Sequence, residues 1–283
     1  MTKWISGSLC LAGVLLAGQA MAAPCTGVNA QVNENNNIIL LGGTSKGPIK
    51  QVVIGEFGKD VNVQKRLLAQ FDRCGVLSVA DMTYDKQDGR TLLKLVQKIV
   101  RISDGWQMTY EISLSVLKAG RPVEVSRKQG EASYLTGRSG GITSASDAFI
   151  LQGEKGFTTS VYAFDRQRRL VSGWSRGSDA LSNDETHYSW SDTHQLTGIQ
   201  SGQTTTTLRY DAQGRELQMS QRRTDPFSQE TTVDTCQLWD DRGNCTLSYS
   251  HQMELRNSGI WSRNLAAAYR FEYWDRPEEP KEE

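Results

Sequence analysis

Leu208-Arg209-Tyr210-Asp211-Ala212-Gln213-Gly214-Arg215 carries the logic of an antiparallel hairpin in eight residues. Tyr210 ends one strand and packs on its face, the Asp211 carboxylate caps turn amides, Gly214 supplies a positive φ, and a polar residue opens the return strand. Looser copies lie at 162–170, 188–196 and 238–244. In these, Asp165, Ser191 and Asp240 stand where Asp211 does, Gly243 repeats Gly214, and Arg168 and His194 take the glycine's place. A repeated hairpin predicts a mainly β chain, an antiparallel meander forming an open twisted sheet or partial barrel.

Working outward, segments 49–57, 67–71, 76–84, 106–117 and 122–127 read as strands, and 269–274 as the last one. Segment 90–102 is ambiguous, because its apolar residues fit a helix face as well as the second arm of a hairpin after Asp88-Gly89. We read it as strand. Residues 26–37 are rich in asparagine and read as an exposed lead-in to a short apolar strand, 38–41, ended by Gly42-Gly43. The Gly/Ser-rich stretch 134–148 lacks periodicity and reads as a connection between two halves of a single β-rich domain, 23–275. Residues 276–283 read as a disordered acidic tail.

The N-terminus has the layout of a secretory signal, with Lys3, an apolar stretch at 5–18, and Ala20-Met21-Ala22 as the cleavage site. Cutting after Ala22 gives a signal peptide at 1–22 and a periplasmic mature chain. The apolar stretch is too short to span a bilayer, and no later segment approaches that length, so no transmembrane segment is expected. Ala22-Ala23-Pro24 departs from the Leu-x-Ala/Gly-Cys pattern read by lipoprotein machinery, so Cys25 is not read as a lipid anchor. Removing the leader leaves Cys25, Cys74, Cys236 and Cys245, an even set suited to an oxidising compartment. Cys236 and Cys245 flank an Asp/Gly turn and face each other across a hairpin, which leaves Cys25 with Cys74. The two bridges are worth about 3 and about 4 kcal/mol on the chain-entropy model.

Two resemblances follow. The Tyr-Asp-x-x-Gly hairpin resembles the repeat of Rhs/YD proteins, with too few copies for the shell those proteins build. Over more of the chain, Lys46-Gly47-Pro48-Ile49-Lys50, Arg73-Cys74-Gly75-Val76-Leu77-Ser78, the Tyr210 turn and the Cys236–Cys245 pair occur in the same order as in YnfC-like enterobacterial envelope lipoproteins. The resemblance implies a β-rich envelope protein of unknown role. Two departures stand: the lipobox cysteine is missing, and Cys25 has to substitute for a later cysteine.

Formal net charge is zero, which gives no support for a nucleic-acid partner. No catalytic, cofactor or metal motif is present. His187 shares a strand face with Ser189 and Ser191 but lacks the Gly-x-Ser-x-Gly elbow, and Asp184, Glu185 and His187 match no zinc spacing. Trp190, Trp239 and His187 are the candidate binding residues, since tryptophans on an exposed sheet face can stack on sugar rings, although core packing between sheet layers is the commoner role for a tryptophan and a polar outward face the commoner one for His187. The leading function is a non-enzymatic envelope protein that binds another protein or a surface polymer. The alternatives are a half-barrel-type carrier of a lipid or other apolar ligand, and an envelope glycan or lipid hydrolase.

Overall fold

The computed structural model describes residues 28–58, 62–225, 228–256 and 259–274. The expected signal peptide at 1–22, Cys25 and the tail at 276–283 lie outside them. Among the described residues one α-helix, α1 (Val28–Leu41), precedes sixteen strands. These are β1 (Ile49–Gly58), β2 (Asn62–Phe71), β3 (Leu77–Asp88), β4 (Thr91–Ile102), β5 (Gly105–Lys118), β6 (Arg121–Thr136), β7 (Ile142–Leu151) and β8 (Glu154–Phe164). There follow β9 (Leu170–Gly177), β10 (Asp184–Trp190), β11 (Leu196–Ser201), β12 (Thr204–Tyr210), β13 (Glu216–Asp225), β14 (Ser228–Trp239), β15 (Cys245–Arg256) and β16 (Gly259–Tyr273).

Each strand pairs antiparallel with the next, and β16 pairs back onto β1, so the expected open sheet or partial barrel is corrected to a closed barrel. Closure runs through a regular seam from Val52↔Phe271 to Gly58↔Leu265. It removes the unpaired rows of N–H and C=O groups that an open sheet would present at each edge.

The segment 90–102 is strand, as β4. The stretch 134–148 is no connection: it forms the end of β6, a turn and the start of β7, in continuous register from Leu135↔Ser144 to Lys128↔Leu151. Its small residues alternate between faces without the apolar contrast that marks a strand in sequence. The asparagine-rich lead-in and the apolar strand after it are corrected to the single helix α1, which ends at Gly42 with φ 75° and its N–H bonded to Asn37 and Ile38 carbonyls. That is a left-handed glycine C-cap. Of the two expected disulfides, Cys236–Cys245 is described, with Cα atoms 5.8 Å apart. Cys74 is also disulfide-bonded, but the expected pairing with Cys25 lies outside the described residues.

Six hairpins at one rim share a five-residue turn, 72–76, 137–141, 165–169, 191–195, 211–215 and 240–244. In each, the first N–H donates to the fifth carbonyl and the fourth N–H to the first carbonyl. The fourth residue has a positive φ: Gly75, Gly140, Arg168, His194, Gly214 or Gly243. Asp72, Asp165, Ser191, Asp211 and Asp240 each accept the fifth residue's N–H on a side-chain oxygen. The next residue falls inside the barrel, and Leu77, Ile142, Leu170 and Leu196 are all buried there. An aromatic from a neighbouring hairpin then donates to that residue's carbonyl: Trp106 to Leu77 at 2.8 Å, Trp190 to Leu170 at 2.7 Å, Tyr210 to Leu196 at 2.8 Å and Trp239 to Glu216 at 2.9 Å.

His194 is exposed and sits in a left-handed conformation that costs an L-residue about 1 kcal/mol. His194→Gly is expected to raise stability by roughly 0.5–1 kcal/mol, measured by urea unfolding; no gain or a loss would contradict the turn's conformational demand.

Candidate functional site

The barrel has a closed end. Across the rim of five-residue turns lies α1, held by asparagine amides that act as substitutes for a neighbouring strand. Asn35 accepts the Leu170 N–H at 2.9 Å and donates to the Arg168 carbonyl at 2.7 Å. Asn36 does the same one hairpin earlier, accepting from Ile142 at 3.0 Å and donating to Gly140 at 3.1 Å. Both engage the sixth N–H and fourth carbonyl of the shared turn, and Asn33 donates to the Cys74 carbonyl of a third. An amide carries one donor group and one acceptor, which is what this backbone pair lacks. Beyond the helix, Asn244 repeats the arrangement on Lys46, accepting its N–H at 2.7 Å and donating to its carbonyl at 2.9 Å. Leu40 packs on the β1–β5 wall with Val52, Leu67, Ala80 and Ile99, while Ile38 packs on the opposite side with Leu170 and Leu196.

Below the helix the lumen has two unlike walls. Cross-strand pairing places Ile54, Leu67 and Met82 in one inward row, and Leu95 and Ile112 in the next. From β11 to β15 the inward positions include Ser201, Thr204, Thr206, Thr232, Ser248 and Ser250, interspersed with Ile199, Leu208, Met219, Gln221 and Asp234, a more mixed and more polar surface. Inward residues of β10, Thr186 and Tyr188, are half-buried while outward Glu185 and His187 are exposed. The inner face away from the helix therefore touches solvent through the lumen.

Titratable groups cluster on one arc of this interior. Burial raises the Glu56 carboxyl, opposed by Lys65 and reinforced by Asp234. Burial also raises Glu216, with Asp234 adding to the effect, and Asp234 itself. On α1, burial lifts Glu34 to about 7 against the pull of Lys46. Towards the far rim Arg263, 12 % exposed, reaches Asp88 at 3.2 Å and Glu254 at 3.4 Å, tying β16 across to β3. There too the loop after β9 tucks Asp179 inward to meet Lys128 at 2.7 Å, with the ammonium 4.0 Å from the Phe149 ring centre.

The outer face is different. Arg66, Asp81, Lys98, Glu111, Arg127, Glu131, Arg176, Arg209, Arg222 and Arg270 stand outward on β2 to β6, β9, β12, β13 and β16. Apolar side chains surface between them in small groups, such as Val53 beside Leu68 and Val161 beside Trp174.

Of the candidate binding residues, Trp190 and Trp239 point inward with their indole N–H groups bonded to backbone, and Arg215 lies 4.9 Å over the Trp239 ring. His187 stands outside, 3.3 Å from Glu185, on the same face as Ser189. The hairpin residues Asp165, Ser191, Tyr210, Asp211, Gly214, Asp240 and Gly243 meet at the stoppered rim. Sequence reasoning missed the inner residues Glu34, Glu56, Glu216, Asp234 and Arg263. The available signal was a charge at an inward position of an otherwise alternating strand, which only a fixed register makes visible. Among the described residues no group of three His, Cys, Asp or Glu is placed to hold a metal ion.

No family model matches the chain, and no curated protein matches it. Among solved structures it is similar to a porin-like protein from Bacteroides uniformis, at 13% identity over 81% of this chain and 99% of that one, with a TM-score of 0.49.

A carboxyl whose folded-state pKa lies above its unfolded value stabilises the fold when protonated. For Glu34 that contribution is complete below about pH 4.5 and lost as pH rises through about 7. Hydrogen exchange of the α1 amides is expected to quicken across this window, and Glu34→Gln to flatten the change; an unaltered profile in the variant would remove Glu34 from the account.

Proposed function

We propose that this chain is a non-enzymatic envelope protein that carries an apolar or amphipathic ligand inside its barrel, with its outer surface in water. The observation that carries this reading is the polarity of the two faces. A membrane barrel turns its apolar side chains outward to lipid and its polar ones to the lumen. Here charged side chains ring the outside and the β1–β5 wall of the lumen is largely apolar, with Glu56 and Lys65 facing each other within it. A single Arg or Lys facing lipid at mid-depth costs about 2–4 kcal/mol, and this surface carries many. No described helix is long and apolar enough to cross a membrane, and the strands carry charge on their outer face. The asparagine-held helix supports containment, since it stoppers one end.

The envelope location rests on the leader at 1–22, the disulfide chemistry and the motif order shared with YnfC-like lipoproteins. Docking of another protein or a surface polymer is less well supported. Closure leaves no free strand edge for a partner to extend, and Trp190 and Trp239 are committed to the barrel's own carbonyls.

Native mass spectrometry of protein released from the periplasm by osmotic shock, without detergent, tests the reading. The expected result is an oxidised chain beginning at Ala23 with a discrete adduct that organic extraction removes. A bare chain that also fails to take up an alkyl probe would overturn the carrier reading, and recovery only with the outer membrane would overturn the water-exposed exterior.

A further inference from the structure

At the end of the lumen away from α1, one loop turns inward. Residues 178–183 join β9 to β10 and contain a single 3-10 turn, Ala180–Ser182. Both ends are pinned: the Ser178 hydroxyl accepts the Phe157 N–H at 2.8 Å, and the Asn183 side chain accepts the Gly177 N–H at 2.7 Å. Between them Asp179 meets the Lys128 ammonium of β6 at 2.7 Å, with side chains 11 % and 16 % exposed. Because β7 and β8 lie between β6 and β9, this bridge crosses three strand spacings, roughly 14 Å of wall. The loop rests on that wall, since a methyl group added at Gly156 on β8 would meet both the Phe149 ring and the Ser178 hydroxyl. An ion pair that skips two strands is no part of the sheet. It holds the loop down over the lumen.

The wall beneath offers the same ammonium a second seat. Lys128 stands opposite Leu151, yet its Nζ lies 4.0 Å from the Phe149 ring centre, so the side chain already runs along β7 toward Asp147, the next inward position. Asp147 is fixed by the Tyr110 hydroxyl, which donates to Oδ2 at 2.8 Å. Its Oδ1 is buried and has no hydrogen-bond partner among the described residues. Thr158, directly opposite Asp147 on β8 and 7 % exposed, carries a hydroxyl in the same condition. Burial raises the Asp147 carboxyl, while the Tyr110 hydrogen bond and the Lys128 charge draw it down. A buried carboxylate oxygen without a donor is unfavourable, and so is breaking a buried ion pair without a replacement. One ammonium within reach of two carboxylates avoids the second cost and removes the first.

We propose that residues 178–183 are a lid over the open end of the lumen and that Lys128 is its latch, paired with Asp179 when the lid is down and with Asp147 when it is raised. The exchange keeps the ammonium paired in both positions, and Asp179 passes to water as the loop lifts. That the lid admits cargo rests on the carrier reading; the latch itself does not.

Hydrogen exchange of the mature, oxidised protein, read by mass spectrometry on peptides covering 178–183, tests the latch, with β12 and β13 as internal reference. Asp179→Asn is expected to quicken exchange of the loop about tenfold. Asp147→Asn removes the second seat while keeping an acceptor for Tyr110, and is expected to slow the loop about threefold; a carboxylate with a merely structural role would loosen its surroundings when replaced. Tyr110→Phe leaves both Asp147 oxygens to the ammonium and is expected to quicken the loop. Circular dichroism establishes that each variant is folded, and if Asp147→Asn is not, Tyr110→Phe decides. Unchanged loop exchange in Asp179→Asn would overturn the lid. Unchanged or faster exchange in Asp147→Asn, or unchanged exchange in Tyr110→Phe, would overturn the change of partner. Stopped-flow entry of the neutral probe diphenylhexatriene should quicken in Asp179→Asn and slow in Asp147→Asn at unaltered affinity. Entry at one rate throughout would overturn the lid as a gate, whereas no binding by any variant would overturn the carrier reading and leave the latch decided by hydrogen exchange.

Discussion

A backbone N–H sealed away from water must find an acceptor, and this barrel depends on how that requirement is met at its stoppered end. The shared five-residue turn delivers a large apolar residue to the inside immediately after it, burying that residue's own amide. Leu170 and Ile142 are solvent-free at this position, and a lost partner there costs about 1–3 kcal/mol per group. Asn35 and Asn36 answer the demand from the helix, while Trp106, Trp190, Tyr210 and Trp239 answer the matching carbonyl demand from neighbouring strands. The rim is thus a ring of mutually completed hairpins. The helix is part of that ring as much as a stopper upon it.

This explains why asparagine, a poor helix former, recurs along α1. Its local preference for turns is overridden by tertiary satisfaction, as Ile38 and Leu40 are overridden in their preference for strand. The two apolar residues lie on opposite sides of the helix and join opposite walls of the barrel. A helix that touches its surroundings on every side shows no amphipathic stripe.

The strands and their turn chemistry were legible because alternation and Asp/Gly punctuation are local signals. Tyr210-Asp211 to Gly214 contains within itself the reasons for its shape. Two things were not local. Closure is a relation between Val52 and Phe271, separated by most of the chain, and no composition of either strand announces it. The lumen's character is likewise a relation: Glu56 and Asp234 become one cluster only when β15 and β16 are laid between them. In sequence each is an ordinary charge in a polar chain. The tryptophans stayed open between two roles for the opposite reason, since an aromatic before a turn looks the same whether its ring faces solvent or the interior.

The seam between the first and last strands carries a consequence for the order of assembly. Every other pairing joins chain neighbours, so hairpins form early and cheaply in entropy, whereas β1 must wait for β16, more than two hundred residues downstream. The segment leading into β1 is α1, so the stopper is tethered to the strand that waits for the last one. The interior is therefore open to the surroundings along its whole length until the seam zips, and it is enclosed from the side and the end in one late event. The β1–β16 pair is thus the one seam whose parting would reopen the interior without breaking a hairpin.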